Sequence, residues 1–146
     1  MQIKTTVAVC AVLAAACASP ACAQSEAEAK GFACSFTDGT TWTFESGAFK
    51  SGRSHPLEFT ITGIDLERQT AQLGAAEAGK PPTQLKIVRA INANHFLEVV
   101  NEGFLNLTTV YDKDPTSGTY PAVHSRHFGV LGQPIVAQYA GTCTEK

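Results

Sequence analysis

Apolar and polar residues alternate with a period of two along most of this chain, the spacing at which one face of a β-strand meets a core and the other meets water. Phe32, Cys34 and Phe36 fall on one face with Ala33, Ser35 and Thr37 on the other, and Asp38-Gly39 is the dipeptide of a type I′ hairpin turn. The pattern predicts a first strand ending at Thr37 and a return strand over 40–45 that carries Trp42 and Phe44 on one face. Residues 46–56, rich in Gly, Ser and Lys, read as a loop holding Phe49, Arg53 and His55. Alternation resumes with Leu57, Phe59 and Ile61 against Glu58, Thr60 and Thr62. A turn over 63–67 then leads to a short strand over 68–73 with Ala71 and Leu73 inward. Between 74 and 82 a helical turn can start at Ala75, but Gly79 and Pro81-Pro82 stop it.

Three strands follow in quick succession, over 83–91, 95–100 and 104–111, joined by Asn92-Ala93-Asn94 and Asn101-Glu102-Gly103. Connections this short force antiparallel neighbours, because a parallel crossover needs about a dozen residues. A longer polar loop over 112–118 precedes a final pair of strands, 120–130 and 135–143, with Gly132 near their turn. The expectation is an all-β fold, a single antiparallel meander of eight or nine strands. Closed or nearly closed, such a meander is a barrel; the alternative is a β-sandwich.

The first 23 residues depart from this pattern. Lys4 supplies a positive start, residues 5–18 form an uncharged apolar run, and Ala21-Cys22-Ala23 offers small residues at the two positions a signal peptidase reads. Ser19-Pro20 stops the run short of the roughly 20 apolar residues that cross a bilayer. The organisation expected is a signal peptide over 1–23, a flexible lead over 24–30 and one β domain over 31–146, periplasmic or secreted, with no membrane insertion after cleavage. Export changes the reading of the cysteines. Three of the five lie in the signal, leaving Cys34 and Cys143, and an oxidising compartment makes these one disulfide. That bridge brings the first and last strands together, which favours the barrel. It closes a loop of about 110 residues, for which chain entropy alone gives about 5 kcal/mol. Neither cysteine stands in a C-x-x-C pair or beside a basic residue, so thiol catalysis is not indicated.

Charge narrows the partners. The 146 residues hold 11 basic and 13 acidic side chains, a net charge of −2, and loss of Lys4 with the signal makes it −3. No basic stripe is present for nucleic acid. The densest polar group is His124-Ser125-Arg126-His127, within a strand otherwise apolar. There His124 and Arg126 share one face and Ser125 and His127 the other, so the four do not converge on one site. No H-E-x-x-H, C-x-x-C or paired-carboxylate spacing points to a metal, no cofactor motif is present, and the G-x-S-x-G elbow of a serine hydrolase is absent. Arg126 and one histidine are expected to meet buried carbonyls or an acidic partner such as Glu98. Asn106-Leu107-Thr108 is a glycosylation sequon. Trp42, Phe44 and Phe59 are candidates for lining an interior that, in an eight-stranded barrel, either fills with side chains or holds one small ligand.

Phe32-Ala33-Cys34 in the first strand, Ser117-Gly118-Thr119-Tyr120 after the long loop, and Cys143 in the last strand together resemble the periplasmic inhibitors of c-type lysozyme. The resemblance implies a small β-barrel whose Ser-Gly loop enters the cleft of the enzyme. This chain has Ser-Gly-x-Tyr where those inhibitors have Ser-Gly-x-x-Tyr, and lacks their downstream Lys. The functional expectation is a binding or interaction protein rather than an enzyme, its partner a protein or a small apolar ligand. An inhibitor of a secreted hydrolase such as c-type lysozyme and a carrier of a small apolar ligand are the two specific forms. The candidate contact surface comprises His124, Ser125, Arg126, His127, Ser117, Gly118 and Tyr120.

Overall fold

The computed structural model describes residues 28–74, 81–100, 104–130 and 132–146. The expected signal peptide, the start of the lead and the possible helical turn at Ala75 lie outside them. The described residues form nine antiparallel strands and no helix: β1 (Phe32–Glu45), β2 (Ala48–Arg53), β3 (Leu57–Asp65), β4 (Thr70–Leu73), β5 (Thr83–Arg89), β6 (Ala93–Val100), β7 (Phe104–Tyr111), β8 (Tyr120–Val130) and β9 (Gln133–Glu145). Each of β3 to β9 pairs with its sequence neighbour, and β1 pairs with both β3 and β9, so hydrogen bonding runs in a ring through eight strands. The ring settles the choice between barrel and sandwich in favour of the barrel. Cys34 lies directly opposite Cys143 in the β1–β9 ladder, and the two form a disulfide with their Cα atoms 4.0 Å apart.

Inward positions follow the alternation read from the sequence through most of the ring. Phe32, Cys34 and Phe36 of β1 meet Ile61, Ile87, Phe96 and Cys143 in the core, and Phe36, Ile61, Ile87 and Cys143 have no exposed surface. Each fully buried Phe or Ile contributes roughly 1.5–3 kcal/mol of transfer free energy. These side chains fill the middle of the barrel, and among the described residues cavities open towards its two ends.

The first hairpin is not where the Asp38-Gly39 signal places it. β1 continues through that dipeptide as a single strand of 14 residues, and the chain reverses at Ser46-Gly47. Both turn residues have positive φ, 52° and 82°, as a type I′ turn requires. Asp38 marks instead the end of a β-bulge, where Phe36 and Thr37 together oppose Gly141 and the β1–β9 register jumps from Ser35/Thr142 to Asp38/Ala140. Gly39 serves packing rather than a turn, since a Cβ there would lie 2.5 Å from the ring of Tyr139.

The bulge reverses the sidedness of β1. Before it, even-numbered residues face the core; after it, Thr41 and Thr43 pair with the inward Ala137 and Ile135, and Trp42 with the outward Val136. Trp42 and Phe44 therefore lie on the outer face of the barrel and do not line its interior; Phe59 does face inward. The expected loop over 46–56 contains β2, which continues the outer edge of β1 beyond β3 and exposes all six of its side chains. Ser54 anchors the break between β2 and β3, its N–H donating to the Gly39 carbonyl at 2.9 Å.

Candidate functional site

The barrel presents polar groups at both ends. One end carries the β7–β8 connection, residues 112–119, which extends beyond the last paired rung, Val110 with Ala122. Asp114 organises it. Its carboxylate accepts from the Thr116 N–H and the Ser117 hydroxyl, both at 2.9 Å, its carbonyl accepts from Gly118 N–H at 2.8 Å, and its own N–H donates to the Thr119 carbonyl at 2.8 Å. The Thr116 N–H, and then the Ser117 hydroxyl, hold the Asp114 pKa below the usual carboxylate value. Gly118, with φ of 70°, makes the sharp return that these bonds need. The Asp112 N–H donates to the Asn92 carbonyl at 3.0 Å, tying the loop beside the β5–β6 turn, where Ile91 is fully exposed.

Below the loop is a groove of about 960 Å³ bordered by Phe32, Ile64, Leu66, Tyr111, Pro115 and Tyr120. Tyr120 packs edge-on against Phe32, with ring centroids 5.0 Å apart, and its hydroxyl donates to Glu145 at 3.4 Å. Lys113 Nζ stands 5.9 Å from the centre of the Tyr120 ring, within cation–π reach. Ser117, Gly118 and Tyr120 thus share this end, but the Ser117 hydroxyl is turned into the loop, where it bonds Asp114 and also lies 2.9 Å from Thr119 Oγ1.

The opposite end is a mouth between β3–β4 and β6–β8. Here β8 divides the tetrad as its period dictates: His124 and Arg126 point inward, Ser125 bonds Gln138 on the outer face at 2.8 Å, and His127 is exposed. The seven candidate residues consequently occupy three separate places. His124 is buried among Phe36, Phe59 and Tyr139, with ring centroids 5.1–5.9 Å from its own, and its Nδ1 lies 2.8 Å from the hydroxyl of Thr108. Burial, and then the positive charge of Arg126, push its pKa down to about 4, so the ring is neutral at neutral pH. The cross-strand register sets Glu98, Asn106 and Arg126 side by side on β6, β7 and β8. Asn106 Nδ2 donates to Glu98 at 2.7 Å, while Asn106 Oδ1 is buried with no hydrogen-bond partner. A cavity of about 380 Å³ opens between this row and an apolar wall of Leu57, Phe59 and Leu73.

Asn106 was legible in the sequence only as a sequon, and its burial inside the barrel withdraws it from a glycosylating enzyme. Its place in the mouth, with that of Thr108, follows from parity: both are polar at inward positions of β7. Glu98, proposed as a partner for Arg126 or a histidine, bonds the asparagine between them instead. Among the described residues no group of three His, Cys, Asp or Glu side chains is placed to hold a metal ion. His95 and His124 each hydrogen-bond a threonine of β7. No known protein family and no curated protein matches the chain.

Proposed function

We propose that the chain is an exported binding protein that engages a partner protein through the loop over 112–119, in the manner of an inhibitor of a secreted hydrolase. The observation that carries this reading is the loop itself, solvent-exposed yet cross-braced by four hydrogen bonds to the single residue Asp114. Ordering a loop on binding is a principal cost of association, and one already held in shape avoids it. A convex, rigid loop suits insertion into a concave site such as an enzyme cleft. Around it stand Ile91, Tyr111 and the Lys113–Tyr120 stack, the mixture of exposed apolar and aromatic side chains with a polar rim that anchors protein interfaces. The disulfide fits an oxidising, extracytoplasmic setting, where a secreted hydrolase would be met.

The reading is tested by adding the purified, oxidised protein to a c-type lysozyme in a bacterial cell-wall lysis assay, and by using it as bait for the extracytoplasmic proteins of its source. Inhibition, or capture of one secreted hydrolase, is expected with the wild type. Gly118→Val, which forces a β-branched residue into positive φ, and Asp114→Ala should each lower affinity at least about tenfold while the barrel keeps its melting behaviour. Capture that survives both substitutions unchanged would remove the loop from the interface.

A further inference from the structure

The mouth at the opposite end has the features of a small-molecule site, and its chemistry is specific enough to name a ligand class. Its volume of about 380 Å³ lies within the range of roughly 300–1,000 Å³ typical of ligand clefts. Three polar side chains line up across adjacent strands with the amide in the middle: Glu98, Asn106, Arg126. Asn106 is more than nine-tenths buried, and its Oδ1 is an acceptor with no donor. A group in that state either costs stability or is there to be used.

On the strand row the mouth offers one carboxylate acceptor, one amide acceptor and one guanidinium donor, with His124 neutral between Phe59 and Tyr139; Glu58 and Thr60 also border it, and Glu58 already accepts from the Ser35 hydroxyl at 3.2 Å. A lone anion would satisfy Arg126 but face Glu98 and leave Asn106 Oδ1 empty. A lone cation would satisfy the acceptors and face Arg126. A molecule bearing both charges matches all three groups of the row: its ammonium hydrogens go to Asn106 Oδ1 and Glu98, and its carboxylate takes the guanidinium. Across the cavity Leu57, Phe59 and Leu73 pack against the core as an apolar wall, with Glu58 and Thr60 only at its border, which favours an apolar remainder for such a molecule.

We infer that the mouth binds a free α-amino acid with an apolar side chain, held by Glu98, Asn106 and Arg126 with its side chain against Leu57, Phe59 and Leu73. This site is independent of the loop at the other end. It also differs from an apolar carrier cavity in requiring both charges of the ligand.

The test is an NMR titration of the purified, oxidised protein with L-phenylalanine, with phenylpropionate, which lacks the ammonium, and with phenethylamine, which lacks the carboxylate. Saturable shifts of the Asn106 side-chain amide and the His124 ring are expected with phenylalanine, and each analogue should bind at least about tenfold more weakly, because one charged hydrogen-bonding set is left unmatched. Arg126→Gln should weaken phenylalanine by a similar factor and erase its advantage over phenethylamine; Glu98→Gln should erase its advantage over phenylpropionate. Absence of saturable shifts, or equal binding of the three compounds, would overturn the assignment. Preferential binding of phenylpropionate would also overturn it, by making the mouth a simple anion site. Because the loop is untouched, inhibition or capture at the other end should be the same for both variants, so failure of one reading leaves the other standing.

Discussion

A proton on His124 must enter a space closed by Phe36, Phe59 and Tyr139, beside the guanidinium of Arg126 and with Glu98 already bonded to Asn106. The folded pKa of about 4 lies below the ordinary 6.5, so between those values the unfolded chain binds more protons than the folded one. Stability therefore rises with pH across that window, and acidification from pH 7 to pH 4 should remove on the order of 3 kcal/mol. Urea unfolding at the two pH values measures the loss, and His124→Leu should flatten it; a wild-type profile level from pH 7 to 4 would refute the assignment. Two glycines give a second test at the same scale. A Cβ on Gly141 meets the backbone carbonyl of Ser35 and the Cα of Phe36, whereas one on Gly39 meets chiefly the ring of Tyr139 and the side chain of Ser54. Side chains can yield where backbone cannot. Gly141→Ala is accordingly expected to cost about 3 kcal/mol and Gly39→Ala about 1 kcal/mol, read from urea midpoints.

Among the elements, β2 stands outside the ring, paired only to β1 and with every side chain exposed. Its stability rests on one ladder and the Ser46-Gly47 turn, so its amides should exchange with deuterium well before those of β7, β8 and β9, which are paired on both sides. Equal protection of β2 and β8 would contradict this. The same exposure explains why β2 was not legible in the sequence: a strand with two wet faces shows no alternation, and Lys50, Ser51 and Gly52 read as loop. β3 to β9 were legible because each buries one face, and the division of His124 and Arg126 from Ser125 and His127 followed from period alone. Two local devices defeated the pattern in β1. The bulge at Phe36-Thr37 turned Trp42 and Phe44 outward, and Asp38-Gly39 imitated a turn where the glycine makes room for Tyr139. The row Glu98–Asn106–Arg126 depends on register between three strands, which no single segment encodes.

At the scale of the molecule, the disulfide does more than close the ring. Cys34 pairs with Cys143 across β1 and β9, Cys143 with Tyr120 across β9 and β8, and Cys34 with Phe59 across β1 and β3. One continuous cross-strand row thus runs from Tyr120, under the loop, through the disulfide to Phe59, on the wall of the mouth. It does so because the strands of a closed barrel tilt against its axis. Within the β1–β9 ladder that completes the ring the bridge joins residues 109 positions apart, and it is worth about 3 to 5 kcal/mol, the upper figure being the chain-entropy value for so long a loop. Against a total of roughly 5–15 kcal/mol for a domain of this size, that is a large share. The double substitution Cys34→Ala/Cys143→Ala should lower the urea-derived stability by about that amount. Because the row connects both ends, it should also weaken capture by the loop and amino-acid binding by the mouth together, whereas Gly118→Val and Arg126→Gln each affect one end. Retention of both activities at wild-type strength in the double variant would mean that the β1–β9 ladder holds the ring without its covalent bridge.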